Sequence, residues 1–345
     1  MLRMSIRPLA RRLSARARFL TLALLPLSLA ASCATTSPSP ATAPVAATAD
    51  VFPGAGAPAP LPAPTEGAFD SLEGPLWVAN QKALLFSDVV EANGAGAHIF
   101  RFDPAQRRYT ALPTPPAGPT STNGLTSDPQ GRLIVCERYN ARVVRHEPDG
   151  KVTVLAERWP VAGGPALNAP NDVTARADGN IYFTDSDWGA RPGVPHAAMG
   201  VYRVSPTGEL SRVLELEKPN GIALSPDGAS LYVGSDVQAK VWRLPLDATG
   251  AAGTPTVLID GPSVTGGFKV PDGICVDDTG NLYVANNDDS VKAIVVFDPA
   301  GHSLGRIALP FRPSNCTFGG ADRRTLYVTT LHAVYEVRVP TPGLP

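Results

Sequence analysis

Six segments of this chain follow one pattern: "EGPLWVANQKALLFSD" from Glu73, "NGLTSDPQGRLIVCE" from Asn123, "NDVTARADGNIYFTD" from Asn171, "NGIALSPDGASLYVGSD" from Asn220, "DGICVDDTGNLYVANN" from Asp272 and "NCTFGGADRRTLYVTT" from Asn315. Their starting points lie 50, 48, 49, 52 and 43 residues apart. Each opens on a polar residue, runs through a short apolar stretch, breaks at an Asp/Gly-type turn and returns as a second apolar stretch, as a β-hairpin does. Between these hairpins lie others, such as "ARVVRHEPDGKVTVLA" and "GVYRVSPTGELSRVLEL", alternating apolar and polar residues around their own turns. Two hairpins per period make four strands per period, one supersecondary unit per repeat. Four antiparallel strands repeated six times, with no amphipathic helical window to compete, specify an all-β six-bladed β-propeller over residues 67–340. A parallel solenoid fits less well, because its coils are shorter and carry no paired hairpins. The last repeat ends one strand short at "AVYEVRV". A strand from the N-terminal side, around residues 68–71, is therefore expected to complete the final blade and leave no long unpaired edge. Residues 341–345 read as a tail.

The N-terminus has a different composition. Its first 18 residues hold six arginines and no acid, followed by "FLTLALLPLSLAAS" and Cys33. The apolar run is shorter than the roughly 20 residues a bilayer requires, so residues 1–33 read as a secretory signal. "LAASC" resembles a bacterial lipobox, which makes Cys33 a lipidation candidate, with plain cleavage near Ala31 as the alternative. Residues 34–66, rich in Pro, Ala, Thr and Ser, have little to bury and read as a semi-extended tether. The expected location is exported, in a bacterial cell envelope, with membrane attachment only through the lipid. Removing the leader takes the formal net charge from −1 to −7, which argues against a nucleic-acid partner. A monomer is expected. The remaining cysteines, Cys136, Cys275 and Cys316, are odd in number and contain no CxxC pair. All three read as small buried hydrophobes.

In a propeller the inner strand of each blade starts beside the central channel, so a residue at one register of every repeat belongs to a ring around the axis. Glu73, Asn123, Asn171, Asn220, Asp272 and Asn315 hold that register. Asn-Gly and Asp-Gly are common turn dipeptides, but the hairpin turn of each repeat comes later, at "DPQG", "ADGN", "PDGA" or "DTGN". Two carboxylates and several amides, without thiol or imidazole, form an all-oxygen set that suits Ca²⁺, or less well Mg²⁺, better than zinc. The expected cofactor is one divalent cation, calcium first, with Mg²⁺, Mn²⁺ or Zn²⁺ as alternatives.

At "EGPLW", "NGLTSDPQGRLIVCE", "NAPNDVTARADGNIYFTD", "KPNGIALSPDG", "VPDGICVDDTGNLYVA" and "NCTFGGADRRTLYVTT" the chain resembles the gluconolactonase, regucalcin (senescence marker protein) and luciferin-regenerating enzyme family, with diisopropyl fluorophosphatase more distant. The resemblance implies a catalytic divalent metal at the channel mouth, held by Glu73, Asn171, Asn220 and Asp272, with Asp272 also the catalytic base. It places Asn123 and Asn315 at positions used for water, substrate or structure. Its implied activity is metal-dependent hydrolysis of a small-molecule lactone or related ester: the cation polarises the carbonyl while Asp272 takes a proton from water. Tyr139, Asp185, Asp187, Trp188 and His196 lie on loops that could overhang the mouth; Tyr139 and Asp185, with Asn123 and Asn315, are the substrate-binding candidates. Animal members carry an arginine two residues before the position of Asn171, where this chain has Ala169, so their sugar-lactone preference does not transfer directly. Two other readings stay open: an ester or organophosphate hydrolase on the same metal centre, and a non-catalytic envelope-tethered binding module. GxSxG, HExxH and GxxxxGK signatures are absent from the sequence.

Overall fold

The computed structural model describes residues 51–63, 69–89, 98–113, 121–159, 163–188 and 193–344. The expected leader, Cys33 and residues 34–50 of the expected tether lie outside the described residues.

The repeats fold as six four-stranded antiparallel sheets, in an all-β six-bladed propeller. A two-residue strand β1 (Ala59–Pro60) precedes the first blade, which holds β2 (Leu72–Val78), β3 (Ala83–Asp88), β4 (His98–Asp103) and β5 (Arg108–Ala111). The second is β6 (Thr122–Ser127), β7 (Leu133–Glu137), β8 (Arg142–His146) and β9 (Val152–Ala156); the third is β10 (Ala169–Ala175), β11 (Ile181–Ser186), β12 (Gly200–Val204) and β13 (Leu210–Glu215). The fourth is β14 (Pro219–Leu224), β15 (Ser230–Ser235), β16 (Lys240–Pro245) and β17 (Thr256–Asp260); the fifth is β18 (Pro271–Val276), β19 (Leu282–Asp288), β20 (Val291–Phe297) and β21 (Ser303–Ala308). The sixth runs outward through β22 (Pro313–Gly319), β23 (Thr325–Thr330) and β24 (Val334–Arg338) to β1. Around the axis β2, β6, β10, β14, β18 and β22 each contact the next, and β22 returns to β2.

Strand alternation places apolar side chains on both faces of every blade, and each face meets its neighbour's. One apolar cluster fills each of the six seams: Leu85, Leu125 and Val135 between blades one and two, for example, and Tyr283, Ile294, Phe318 and Leu326 between five and six. This sheet-on-sheet burial, at roughly 25 cal/mol per Å² of apolar surface, holds the ring.

The final blade is closed from the N-terminal side as expected, but by an earlier segment. β1 pairs with β24, with Ala59 opposite Glu336 and Pro60 opposite Tyr335, while residues 69–71 form no strand. Beside this ladder, Gly56 and Leu61 donate backbone hydrogen bonds to Arg338 O and Val334 O of β24, both at 2.8 Å. A proline-rich strand is tolerated there because an outermost strand has no further partner needing its N–H groups. Phe69 serves the first blade instead, in an aromatic cluster with Phe86, Phe100 and Tyr109. The described part of the expected tether is thus built into the propeller: Phe52 and Leu61 are buried, and Phe52 meets Tyr283 edge-on at 5.6 Å.

Two further expectations change. Cys275 and Cys316 form a disulfide between β18 and β22, leaving Cys136 buried as the free thiol among the described residues. Sequence parity suggested isolated thiols, but adjacent inner strands carry these two side by side, with Cα atoms 5.8 Å apart. The C-terminal residues are not a loose tail either. Asp278 N bonds Pro342 O at 2.9 Å, Gly343 N bonds Arg323 O at 2.8 Å, and Leu344 reaches a cavity of about 550 Å³ below the hub.

Candidate active site at the propeller hub

Each inner strand breaks register with its partner strand at the hub residue: between Glu73 and Leu76, Thr122 and Leu125, Pro170 and Val173, Pro219 and Ile222, Pro271 and Ile274, and Pro313 and Asn315. A bulge leaves residues outside the ladder and re-aims their side chains. The backbone groups released here are taken up by hydroxyls of the preceding blade. Ser87 Oγ donates to Asn123 O at 2.7 Å, Thr184 Oγ1 to Asn220 O at 2.7 Å, and Ser314 Oγ to Leu72 O at 2.5 Å.

The glycine that follows several hub residues has a packing role, not a turn role. A Cβ on Gly221 would lie 2.1 Å from Asp272 O, and one on Gly273 would lie 2.0 Å from the Asn315 side chain. Gly74 and Gly124 meet Asn123 and Asn171–Asp172 in the same way. Asn123, Asn171, Asp272 and Asn315 therefore each abut the glycine of the preceding blade, and only glycine admits so close an approach.

The side chains converge across the axis. Asn315 Nδ2 in blade six donates to Asp172 Oδ2 in blade three, directly opposite, at 3.3 Å, and faces Glu73 Oε2 in blade one at 3.5 Å. Its Oδ1 accepts from Cys316 N at 2.8 Å. The amide of Asn315 thus braces two carboxylates. Asp172 Oδ2 also accepts from Ile222 N at 3.3 Å, in blade four. Asn220 Nδ2 donates to Asp236 Oδ1 at 3.3 Å, and Asn287 Nδ2 to Asp272 Oδ2 at 2.7 Å. Asn171 is buried at the start of β10, and Asn123 is buried with an Oδ1 that has no hydrogen-bond partner.

Burial, and then the charge of Asp172, push the Glu73 carboxyl up to about 8. Burial likewise pushes Asp172 and Asp236 up to about 6. Asp272 stands well above the usual carboxylate range, by burial first and then by the charges of Glu73, Asp236 and Asp172. Each shift is toward the neutral form, and an opposite charge among the acids would move it back. Arg138 acts weakly in that sense on Glu73.

The residues present fit a divalent cation as a mixed carboxylate and amide set. Among the described residues no group of three or more His, Cys, Asp or Glu is placed to hold a metal. The oxygens that could hold a cation are those of Glu73 and Asp272 with hub amides, and Asn123 Oδ1 is a buried acceptor without a hydrogen-bond partner.

Of the mouth residues, Asp185 is fully buried; its two oxygens accept from Asn168 N and Nδ2 at 2.9–3.0 Å, so it clamps the chain entering β10 and does not face a substrate. Tyr139 is partly exposed on the turn from β7 to β8. Lys218 pairs with Asp187 and lies over the Trp188 ring, 5.1 Å from its centroid, and His196 Nδ1 lies 3.0 Å from Leu167 O. Sequence reasoning missed Asp172, Asp236 and Asn287. The signal for the last two was present as a second polar column ending the second strand of several repeats, in "CER", "GSD" and "ANN".

Residues 72–332 match the model of the "SMP-30/Gluconolactonase/LRE-like region". The chain is 30% identical to a gluconolactonase of Zymomonas mobilis subsp. mobilis over 290 residues, 79% of each protein. Its structure is similar to that of a gluconolactonase from Xanthomonas campestris, at 28% identity and a TM-score of 0.68, covering 84% of this chain and 97% of the other. The fold is also shared with regucalcin from Agrobacterium tumefaciens, described as a calcium-binding protein, at 22% identity and a TM-score of 0.65, covering 86% and 99% of the two chains.

Proposed function

Because the chain belongs to the SMP-30/gluconolactonase/LRE-like family, we propose that it is a hydrolase that opens a lactone ring at the propeller hub, with a divalent cation, calcium foremost, held by Glu73, Asn171, Asn220 and Asp272. The observation that carries this reading is the meeting at one axis of residues from six separate repeats, two of them carboxylates: Glu73, raised by burial and the charge of Asp172, and Asp272, raised by burial and the charge of Glu73.

When bound, the cation supplies Lewis acidity, polarising the ester carbonyl and restoring the ionised form of the carboxylates. Asp272 takes the proton of the attacking water as the new C–O bond forms. That proton passes to the ring oxygen as the ester C–O bond breaks, leaving a hydroxy acid. Asn287 holds one Asp272 oxygen by its amide N–H, which leaves the other for this work. Asn123, whose buried Oδ1 has no partner, offers the substrate or its water an acceptor. Asn123, Asn171, Asn220 and Asp272 are buried, and electrostatic interactions away from bulk water are stronger.

The test is pH-stat hydrolysis of γ- and δ-lactones by chelated protein supplied with Ca²⁺, Mg²⁺ or Mn²⁺, beside Asp272→Ala. Metal-restored turnover that Asp272→Ala lacks supports the reading; no turnover of any lactone with any metal ends it. The same protein is proposed to be exported. The arginine-rich leader and the Cys275–Cys316 disulfide support this, since such bonds persist in oxidising compartments. Fractionation of cells that express the full chain tests it, with protein confined to the cytosol as the refuting result.

A further inference from the structure

An asparagine can bind a cation only through its oxygen, and which way its amide faces is set by its neighbours. An ionised carboxylate accepts but cannot donate, so a carboxylate beside an asparagine draws the NH₂ toward itself and turns the carbonyl oxygen away. Two such contacts flank the hub. Asn220 donates to Asp236, which forces Asn220 Oδ1 to the side away from Asp236. Asn287 donates to Asp272 Oδ2, fixing the plane of that carboxylate.

Asp236 and Asn287 occupy equivalent places in neighbouring blades. The backbone N–H of Asp236 bonds Lys218 O at 3.3 Å, and that of Asn287 bonds Val270 O at 2.9 Å, in each case two residues before the hub residue that its side chain contacts. The repeat therefore delivers a second polar column just outside the first. In blades four and five the second column is complementary to the first: an acceptor meets the amide, and an amide donor meets the carboxylate. Asn315 shows the converse arrangement, with its NH₂ turned to Glu73 and Asp172, which removes its oxygen from any donor set.

We propose that Asp236 and Asn287 are positioning residues, which orient the Asn220 oxygen and the Asp272 carboxylate toward a cation at the hub. This rests on the reading of the hub as a cation-dependent centre. Outer partners that orient metal ligands are worth about 10–100-fold in affinity or activity.

The experiment measures Ca²⁺ binding by calorimetry, with no substrate present, on chelated wild type and on Asp236→Leu, Asn287→Leu and the conservative Asp236→Asn. Alanine replaces leucine if a leucine variant does not fold. The expected result is Ca²⁺ affinity weaker by about 10–100-fold in the Leu variants, with kcat falling in parallel and circular dichroism unchanged. Asp236→Asn keeps an acceptor oxygen and should retain most of the affinity; a role through charge alone would make it as weak as Asp236→Leu and would overturn the positioning role. Wild-type affinity in both Leu variants also overturns the proposal, as does a wild type that binds none of Ca²⁺, Mg²⁺ and Mn²⁺. Because binding is read without substrate, a wild type that binds Ca²⁺ but opens no lactone ends the lactonase reading alone.

Discussion

The disulfide between blades five and six yields a quantitative prediction. It joins residues 41 apart in sequence. In the chain-entropy account, a cross-link closing a loop of about that length lowers the entropy of the unfolded chain by about 13 cal/mol/K, or about 4 kcal/mol at 25 °C. The native geometry requires little rearrangement to form it, since β18 and β22 are already neighbours at the hub. For a domain of this size, at about 2.1 cal/mol/K of unfolding entropy per residue, each kcal/mol moves Tm by about 1.5–2 °C, so losing the bond should lower Tm by about 6–8 °C. The assay is thermal unfolding followed by circular dichroism, on a chain starting after residue 33, oxidised, reduced, and as Cys275→Ala with Cys316→Ala. Thiol titration of the denatured, unreduced protein should find one reactive group, Cys136. Three reactive thiols, or a Tm that reduction moves by less than about 2 °C, would refute the reasoning. The seam is a sensitive place for such a test, because the sixth blade is otherwise closed by a strand of only two residues.

Three other outcomes are expected. Glu73, Asp172 and Asp272 all have folded-state pKa values raised above their unfolded ones, so they favour folding while protonated and lose that contribution as pH rises. For Glu73 the window runs from 4.5 to about 8, and Tm in chelator should fall across it while Tm in excess Ca²⁺ does not; parallel curves would count against a hub cation. Phe52→Ala removes a buried ring packed on Tyr283 and should cost about 3–5 kcal/mol in urea unfolding, whereas a change below about 1 kcal/mol would mean that the N-terminal segment is not part of the core. Gly221→Ala places a methyl 2.1 Å from Asp272 O and should cost about 1–3 kcal/mol while weakening Ca²⁺ binding; an unaffected variant would show that the hub strands can separate freely.

The propeller was legible because its signal is redundant: six copies of one hairpin grammar must pack as six equivalent units. The ring of hub residues was legible for the same reason, since Glu73, Asn123, Asn171, Asn220, Asp272 and Asn315 share a register. The register could not show what each side chain does there. Asn220 and Asn315 look alike in sequence, yet one meets Asp236 through its NH₂ and frees its oxygen, while the other turns its NH₂ to Glu73 and Asp172. Asp185 looked available on a loop and proved buried on Asn168.

By itself, then, the sequence determined the repeat length, the strand alternation and the polar register, because each is a local property of consecutive residues. Only the tertiary structure decided that residues 59–60 and not 69–71 close the ring, that Cys275 finds Cys316, and that Asp172 reaches across the axis to Asn315. Each of these pairings joins segments that are distant along the chain. Their contact depends on how blades meet in space, a relation that no window of neighbouring residues encodes.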